Sequence, residues 1–185
     1  SDSIFMPLVV PRKVTFLAKS EYFTSPGPKG LLKKLTFIAL GQVSVDRSGG
    51  RRSEAALITG LKVLAQGACL GIYPEGTRSP DGRLYKGRTG IARLAIESGA
   101  PVIPVAMANT DKIQPTGKVI PNLHRVEMQF GKPMYFDGDS TDLLYLRDVT
   151  DQIMNVIQAM SGQEYVDTYA PKKSKPDDIN VAGEE

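Results

Sequence analysis

A chain of 185 residues with 41% hydrophobic and 23% charged side chains has the composition of one globular domain with room for a sizeable core. Its single cysteine, Cys69, excludes an internal disulfide framework and reads as a small core residue of a reducing compartment; no run of about 18 apolar residues is present to span a bilayer, and the opening SDSIFMPLVVPRK lacks the basic stretch of a signal peptide. The formal net charge of +3 is uneven, with bases predominating between Lys13 and Arg93 and acids gathering after Gly138, a pattern that invites anionic partners such as phosphate, nucleotide or acidic lipid.

In chain order, Val14–Ala18 (VTFLA) is rich in residues that favour strands. Ser25–Gly30 (SPGPKG) is a loop, and LLKKLTFIAL then places Leu31, Leu32, Leu35, Ile38 and Ala39 at helical spacing before Gly41. VSV predicts a short strand running into Asp46-Arg47, followed by the loop SGGRR. Ser53 is the expected cap of a helix with Leu57, Leu61 and Leu64 on its apolar face and Gly67 at its end. The apolar run Cys69–Tyr73 predicts a buried strand, TGIARLAIESG a helix closed by Gly99, and PVIPVAM another short apolar run. RVEMQF alternates, which predicts a half-exposed strand with Val126, Met128 and Phe130 on one side; Leu144–Met160 carries Val149, Ile153, Val156, Ile157 and Met160 at helical spacing. After Gly162 the chain turns polar, as a tail or a docking arm would. Alternating strands and helices with short connections predict an α/β fold, a mainly parallel central sheet flanked by helices, with a catalytic domain over residues 1–160 and a polar carboxy-terminal segment over 161–185.

Ligands of such sheets gather at the carboxyl ends of the strands. Three of these ends carry polar residues: Asp46-Arg47 after GQVSV, Glu75-Gly76-Thr77-Arg78 after GIYP, and Asn109-Thr110 after PVIPVAMA. Two arginines on one rim can grip a phosphate with paired donors, and Gly76 would let the backbone come close to it. Equally, Arg47 could pair with Asp46 or be solvated, and Glu75 with Arg78 could form a surface ion pair of at most ~1 kcal/mol. Ser79–Gly82 (SPDG) reads as a type I turn. His124, the only histidine, stands far from these loops in sequence and reads as structural. Neither of the common nucleotide loops, G-x-x-x-x-G-K-[ST] or G-x-G-x-x-G, is present, which disfavours a nucleotide-binding protein.

YPEGTRS resembles the F-P-E-G-T-R-S block of the glycerolipid acyltransferases of the 1-acylglycerol-3-phosphate (lysophosphatidic acid) acyltransferase type. GQVSVDR is similar to the second block of that family, APVIPVAM to its fourth, and AKSEYF to the stretch between the first two, in the family's order. The resemblance covers roughly residues 2–130. It departs at the first block, H-x-x-x-x-D: Asp2 is similar to the closing aspartate, and the histidine would fall just before Ser1, upstream of this chain.

The resemblance implies a membrane-associated enzyme that moves an acyl group from acyl-CoA or an acyl carrier protein, the co-substrate, to the hydroxyl of a lysophospholipid acceptor, with no further cofactor, no metal and no nucleic acid. It implies Asp2 as the catalytic orienter of the histidine base, Arg47, Arg78, Thr77 and Gly76 as holders of the acceptor phosphate, and Glu75 as a residue orienting an arginine or the glycerol hydroxyls. It also implies work at the cytoplasmic face of a membrane, peripheral or anchored by an upstream segment. Lys29, Lys33 and Lys34 beside Leu31, Leu32, Leu35 and Phe37 suit either a helix lying on an anionic surface or an ordinary helix packed on the sheet. A catalytically silent phospholipid- or phosphate-binding module is the alternative, set apart by the absence of the histidine from the natural protein.

Overall fold

The β-favouring residues at the start of the chain form a strand, β1 (Val14–Lys19), in the computed structural model, which describes residues 6, 9–19, 42–45, 52–77, 79–108 and 126–171. Val14, Thr15 and Phe16 are buried in succession, as befits a strand covered on both faces. β1 is the middle of a three-stranded sheet, between β2 (Gln42–Val45) and β3 (Cys69–Gly71), and both neighbours run parallel to it. Phe16 pairs with Gln42 on one side and Gly71 on the other, and Lys19 pairs with Val45.

Between β2 and β3 the chain crosses over through α1 (Arg52–Ala65), which packs on all three strands. The helix begins at Arg52, so Ser53 sits inside the first turn and is not the flanking cap expected from sequence. Glu54 in that same turn complements the positive end of the helix. Leu57, Gly60 and Val63 form the buried stripe, with Leu61 and Leu64 half-buried beside it.

β3 is shorter than the apolar run suggests. Its ladder ends at Gly71, and Tyr73 is 45% exposed while its ring stacks on Phe16 at 5.8 Å between centroids. Cys69 is half-buried rather than sealed in the core. A Cβ on Gly71 would lie 2.4 Å from Phe16 Cε1 and 2.5 Å from its Cζ, so the ring of the central strand fits only because residue 71 lacks a side chain. Gly71→Ala is therefore expected to cost about 1–3 kcal/mol by overpacking. That lowers the thermal midpoint by roughly 2–4 °C per kcal/mol in a domain of this size. A melt followed by circular dichroism checks it; an unchanged midpoint would mean that Phe16 relaxes freely.

α2 (Gly90–Ser98) ends as expected at Gly99, whose φ of 65° lets its N–H reach Ala95 O at 2.9 Å. α3 (Leu143–Ser161) is capped by Asp142, whose side chain accepts from the N–H groups of Leu144 and Tyr145, and it stops at Gly162. Ala92 of α2 and Leu146, Val149 and Ile153 of α3 form a buried cluster, covered by Ile91, Ile96, Val102, Met134 and Phe136.

β5 (Val105–Ala108) and β6 (Glu127–Phe130) pair antiparallel, so the described ladders are mainly but not wholly parallel. Met128 is half-buried whereas Phe130 is 47% exposed, so the inward side of β6 ends sooner than its alternation predicts. The polar stretch after Gly162 begins as a docking arm: β7 (Tyr165–Val166) pairs parallel with β4 (Leu84–Tyr85), and Ala170 is buried. Among the described residues no helix is long and apolar enough to cross a membrane.

Candidate functional site

β2 and β3 flank β1 and point the same way, so their carboxyl ends lie on one edge of the sheet, about 10 Å apart by two strand spacings. Val45 ends β2 level with Lys19. β3 leaves the ladder at Gly71, level with Phe16, and the chain runs on through Ile72 and Tyr73 to Pro74. The Pro74–Thr77 turn is thus built at a ligand-collecting edge, opposite the strand that leads in sequence into Asp46-Arg47.

The turn is rigid for identifiable reasons. Pro74 presets its first central position, and the Gly76 N–H donates to Tyr73 O at 3.0 Å to close it. Gly76 has a φ of 72°, a conformation that L side chains rarely adopt. Thr77 is exposed at the end of the turn. From below, the Arg88 N–H donates to Pro74 O at 2.8 Å.

Glu75 holds the turn to β4: its Oε2 accepts from the backbone N–H of Tyr85 at 3.0 Å. The carboxyl is half-buried, and burial raises its pKa above the ordinary range; the Tyr85 hydrogen bond opposes this and the nearby Asp81 charge adds to it. The described contact of Glu75 is therefore with the backbone of β4; the arginines it is expected to orient, Arg47 and Arg78, lie outside the described residues.

Ser79–Gly82 is a turn in which the Gly82 N–H donates to Ser79 Oγ at 2.9 Å and Gly82 O accepts from Gln163 Nε2 at 2.6 Å. Asp81 accepts from Ser79 Oγ at 3.2 Å, Arg83 Nε at 2.8 Å and the Tyr85 hydroxyl at 2.9 Å, and the Arg83 hydrogen bond foremost holds its carboxyl far below the ordinary range. Arg83, so engaged, is a structural cation.

Arg88, which the sequence reading passes over, stands beside the turn. A Cβ added to Gly76 would lie 2.9 Å from Arg88 Cδ and 3.0 Å from its Nε. Its guanidinium lies over the ring of Tyr169, 4.9 Å from the centroid. Nothing in YKGRTG signals this approach, because it depends on the backbone bond between Arg88 and Pro74. Of the expected site residues, Glu75, Gly76 and Thr77 are brought together on one turn. Asp2, Arg47 and Arg78 lie outside the described residues, as do His124, Asn109, Thr110 and the lysine-bearing segment around Lys29, Lys33 and Lys34. Among the described residues no group of three or more His, Cys, Asp or Glu side chains is placed to hold a metal ion.

The raised Glu75 pKa fixes the sign of a pH effect. The folded state binds this proton more tightly than the unfolded chain, so its contribution to stability is greatest below the ordinary glutamate range. That contribution falls as pH rises through the raised folded value. Glu75→Gln keeps an acceptor for the Tyr85 N–H and removes the buried charge. It is expected to melt no lower than the unsubstituted protein at neutral pH, with any advantage vanishing under acid. Glu75→Ala leaves a buried N–H unpaired and is expected to cost about 1–3 kcal/mol. Thermal melts across the acid-to-neutral range check both; a Gln variant whose stability relative to the unsubstituted protein falls from acid to neutral pH would contradict the assignment.

The Acyltransferase family model matches residues 1–108. The chain is 32% identical over 142 residues to a chloroplastic 1-acyl-sn-glycerol-3-phosphate acyltransferase of Brassica napus, covering 76% of this chain and 39% of that protein. It is 28% identical over 128 residues to the 1-acyl-sn-glycerol-3-phosphate acyltransferase of Bacillus subtilis, covering 69% of this chain and 57% of that one. In fold it is similar to the crystal structure of the 1-acyl-sn-glycerophosphate acyltransferase of Thermotoga maritima, with a TM-score of 0.57, 24% identity, and coverage of 80% of this chain and 57% of that chain. The chain spans about two fifths of the length of the plant relatives it matches.

Proposed function

This chain belongs to the Acyltransferase family, and from that premise we propose that the full-length protein moves an acyl group from an acyl thioester, acyl-CoA or an acyl carrier protein, to the free hydroxyl of 1-acyl-sn-glycerol 3-phosphate, giving phosphatidic acid. The observation that carries this reading is the Glu75-Gly76-Thr77 turn, fixed by Pro74 and Tyr85 at the carboxyl edge of a parallel sheet, where the end of β2 leads into Arg47 in sequence. The relatives named above support the acceptor class.

In this reading Asp2 holds the tautomer of a histidine five positions before it in the full-length protein. That histidine takes the proton of the acceptor hydroxyl as its oxygen attacks the thioester carbonyl carbon. The carbon–sulfur bond then breaks and the thiolate leaves, recovering the proton from the imidazolium. Arg47 and Arg78, with Thr77 and the backbone at Gly76, hold the acceptor phosphate and so fix the hydroxyl against the thioester. Acceptor and product are both amphiphiles, which supports action at a membrane surface, its cytoplasmic face being the expected one.

The test is direct: the full-length protein, given 1-acyl-sn-glycerol 3-phosphate in mixed micelles with acyl-CoA or acyl carrier protein thioester, is expected to release thiol and form phosphatidic acid in equal amounts. Thioester turnover with no acceptor acylation, or no turnover with either donor, would overturn the reading.

A further inference from the structure

Most described arginines have their donors engaged by protein oxygen. Arg12 donates to Gly67 O, Arg83 pairs with Asp81, Arg93 with Glu97 and Glu54, and Arg147 with Asp151. Arg88 differs: among the described residues its guanidinium meets no carboxylate or carbonyl oxygen, only the face of the Tyr169 ring. It is nonetheless held in place. Its own N–H is bonded to Pro74 O, and the preceding carbonyl, Gly87 O, accepts from Arg147 Nη1 at 2.7 Å. Its side chain then runs across Gly76, in the space a Cβ would fill. A guanidinium lying over a ring is positioned without an oxygen partner, and its N–H donors match phosphate oxygens in paired geometry.

We propose, resting on the acyl-transfer reading above, that Arg88 is a phosphate-binding residue of this site. Its guanidinium, held on Tyr169 of the carboxy-terminal arm, donates to a substrate phosphate seated against the Glu75–Thr77 turn. Gly76 is then required twice, for its backbone conformation and to make room for Arg88. The arm after Gly162 becomes part of the site through Tyr169, although it lies about 90 positions from the turn in sequence (169 against 76). Two substrate groups share the needed chemistry: the phosphate of the acceptor and the phosphates of a coenzyme A thioester.

The experiment uses Arg88→Gln, Arg88→Lys and Tyr169→Leu in the full-length protein. KM and kcat are measured for 1-acyl-sn-glycerol 3-phosphate at saturating acyl-CoA, and for acyl-CoA at saturating acceptor. Arg88→Gln is expected to reduce kcat/KM about 10- to 150-fold, through KM, in the one arm whose phosphate it holds, with the other arm and the thermal midpoint little changed. Arg88→Lys is expected to restore part of the loss, and Tyr169→Leu to cost about 2- to 5-fold in that same arm. Loss in the acceptor arm identifies the lipid phosphate, and loss in the thioester arm identifies the coenzyme. Unchanged KM in both arms, or an equal loss with a monoacylglycerol acceptor and an acyl-N-acetylcysteamine thioester, neither of which carries a phosphate, would overturn the proposal. Binding of glycerol 3-phosphate, followed by titration calorimetry, separates the two readings. If the unsubstituted protein transfers no acyl group yet binds glycerol 3-phosphate, and Arg88→Gln abolishes that binding, the phosphate site stands and the reaction does not.

Discussion

Asp2→Asn in the full-length protein is expected to lower kcat by roughly 10²–10⁴ while leaving the acceptor KM within a few-fold of its original value. The reason is the division of labour in the proposed reaction. An aspartate facing an imidazole N–H fixes which ring nitrogen is free to take the hydroxyl proton, and its charge stabilises the imidazolium that results. Asparagine keeps the shape but loses the charge, and its amide can present a donor to the ring and favour the wrong tautomer. Because Asp2 makes no contact with the acceptor in this scheme, binding is spared. Steady-state kinetics with both substrates measures this. A variant whose KM rises while kcat holds would place Asp2 among the binding groups instead.

Arg47→Ala and Arg78→Ala are expected to act the other way round. A charge-assisted hydrogen bond to phosphate contributes roughly 1.5–3 kcal/mol, which corresponds to a loss of about 10- to 150-fold in kcat/KM for the phosphorylated acceptor. Replacement by lysine is expected to recover only part of this, since a point charge cannot reproduce the paired donors of a guanidinium. The double variant is expected to lose less than the product of the single losses, because two groups on one phosphate are coupled. If Arg78→Ala spared the acceptor and raised the KM of the thioester, that arginine would belong to the coenzyme side of the site.

The two classes of effect rest on features of unequal legibility in the sequence. β1, α2 and α3 are long or periodic enough to read directly, and Gly99 and Gly162 mark both helix ends because only a residue without a side chain turns there easily. The parallel sheet follows from the alternation of these elements. The Glu75–Thr77 turn is legible as a candidate site because an acid, a glycine and a hydroxyl follow a proline at the end of an apolar run, a combination that a simple turn does not need.

What stayed hidden depends on contacts distant in sequence. β4 and β7 are two residues each, too short to show a period, and their pairing joins Leu84–Tyr85 to Tyr165–Val166 across some 80 positions. Without that pairing the stretch after Gly162 reads as a tail, and Tyr169 has no visible reason to meet Arg88. The partner of Glu75 is a backbone N–H, which leaves no mark on residue identity. The antiparallel pairing of β5 with β6 is likewise set by how the chain returns between them, not by their composition.

The carboxyl edge carrying Glu75-Gly76-Thr77 is expected to select its acceptor by a phosphate. The most direct measurement compares kcat/KM of the full-length protein for 1-acyl-sn-glycerol 3-phosphate and for the 1-acylglycerol that lacks only the phosphate, with the same acyl thioester and micelle composition. A preference for the phosphorylated acceptor of about 10-fold or more is expected. Equal use of the two acceptors would contradict it.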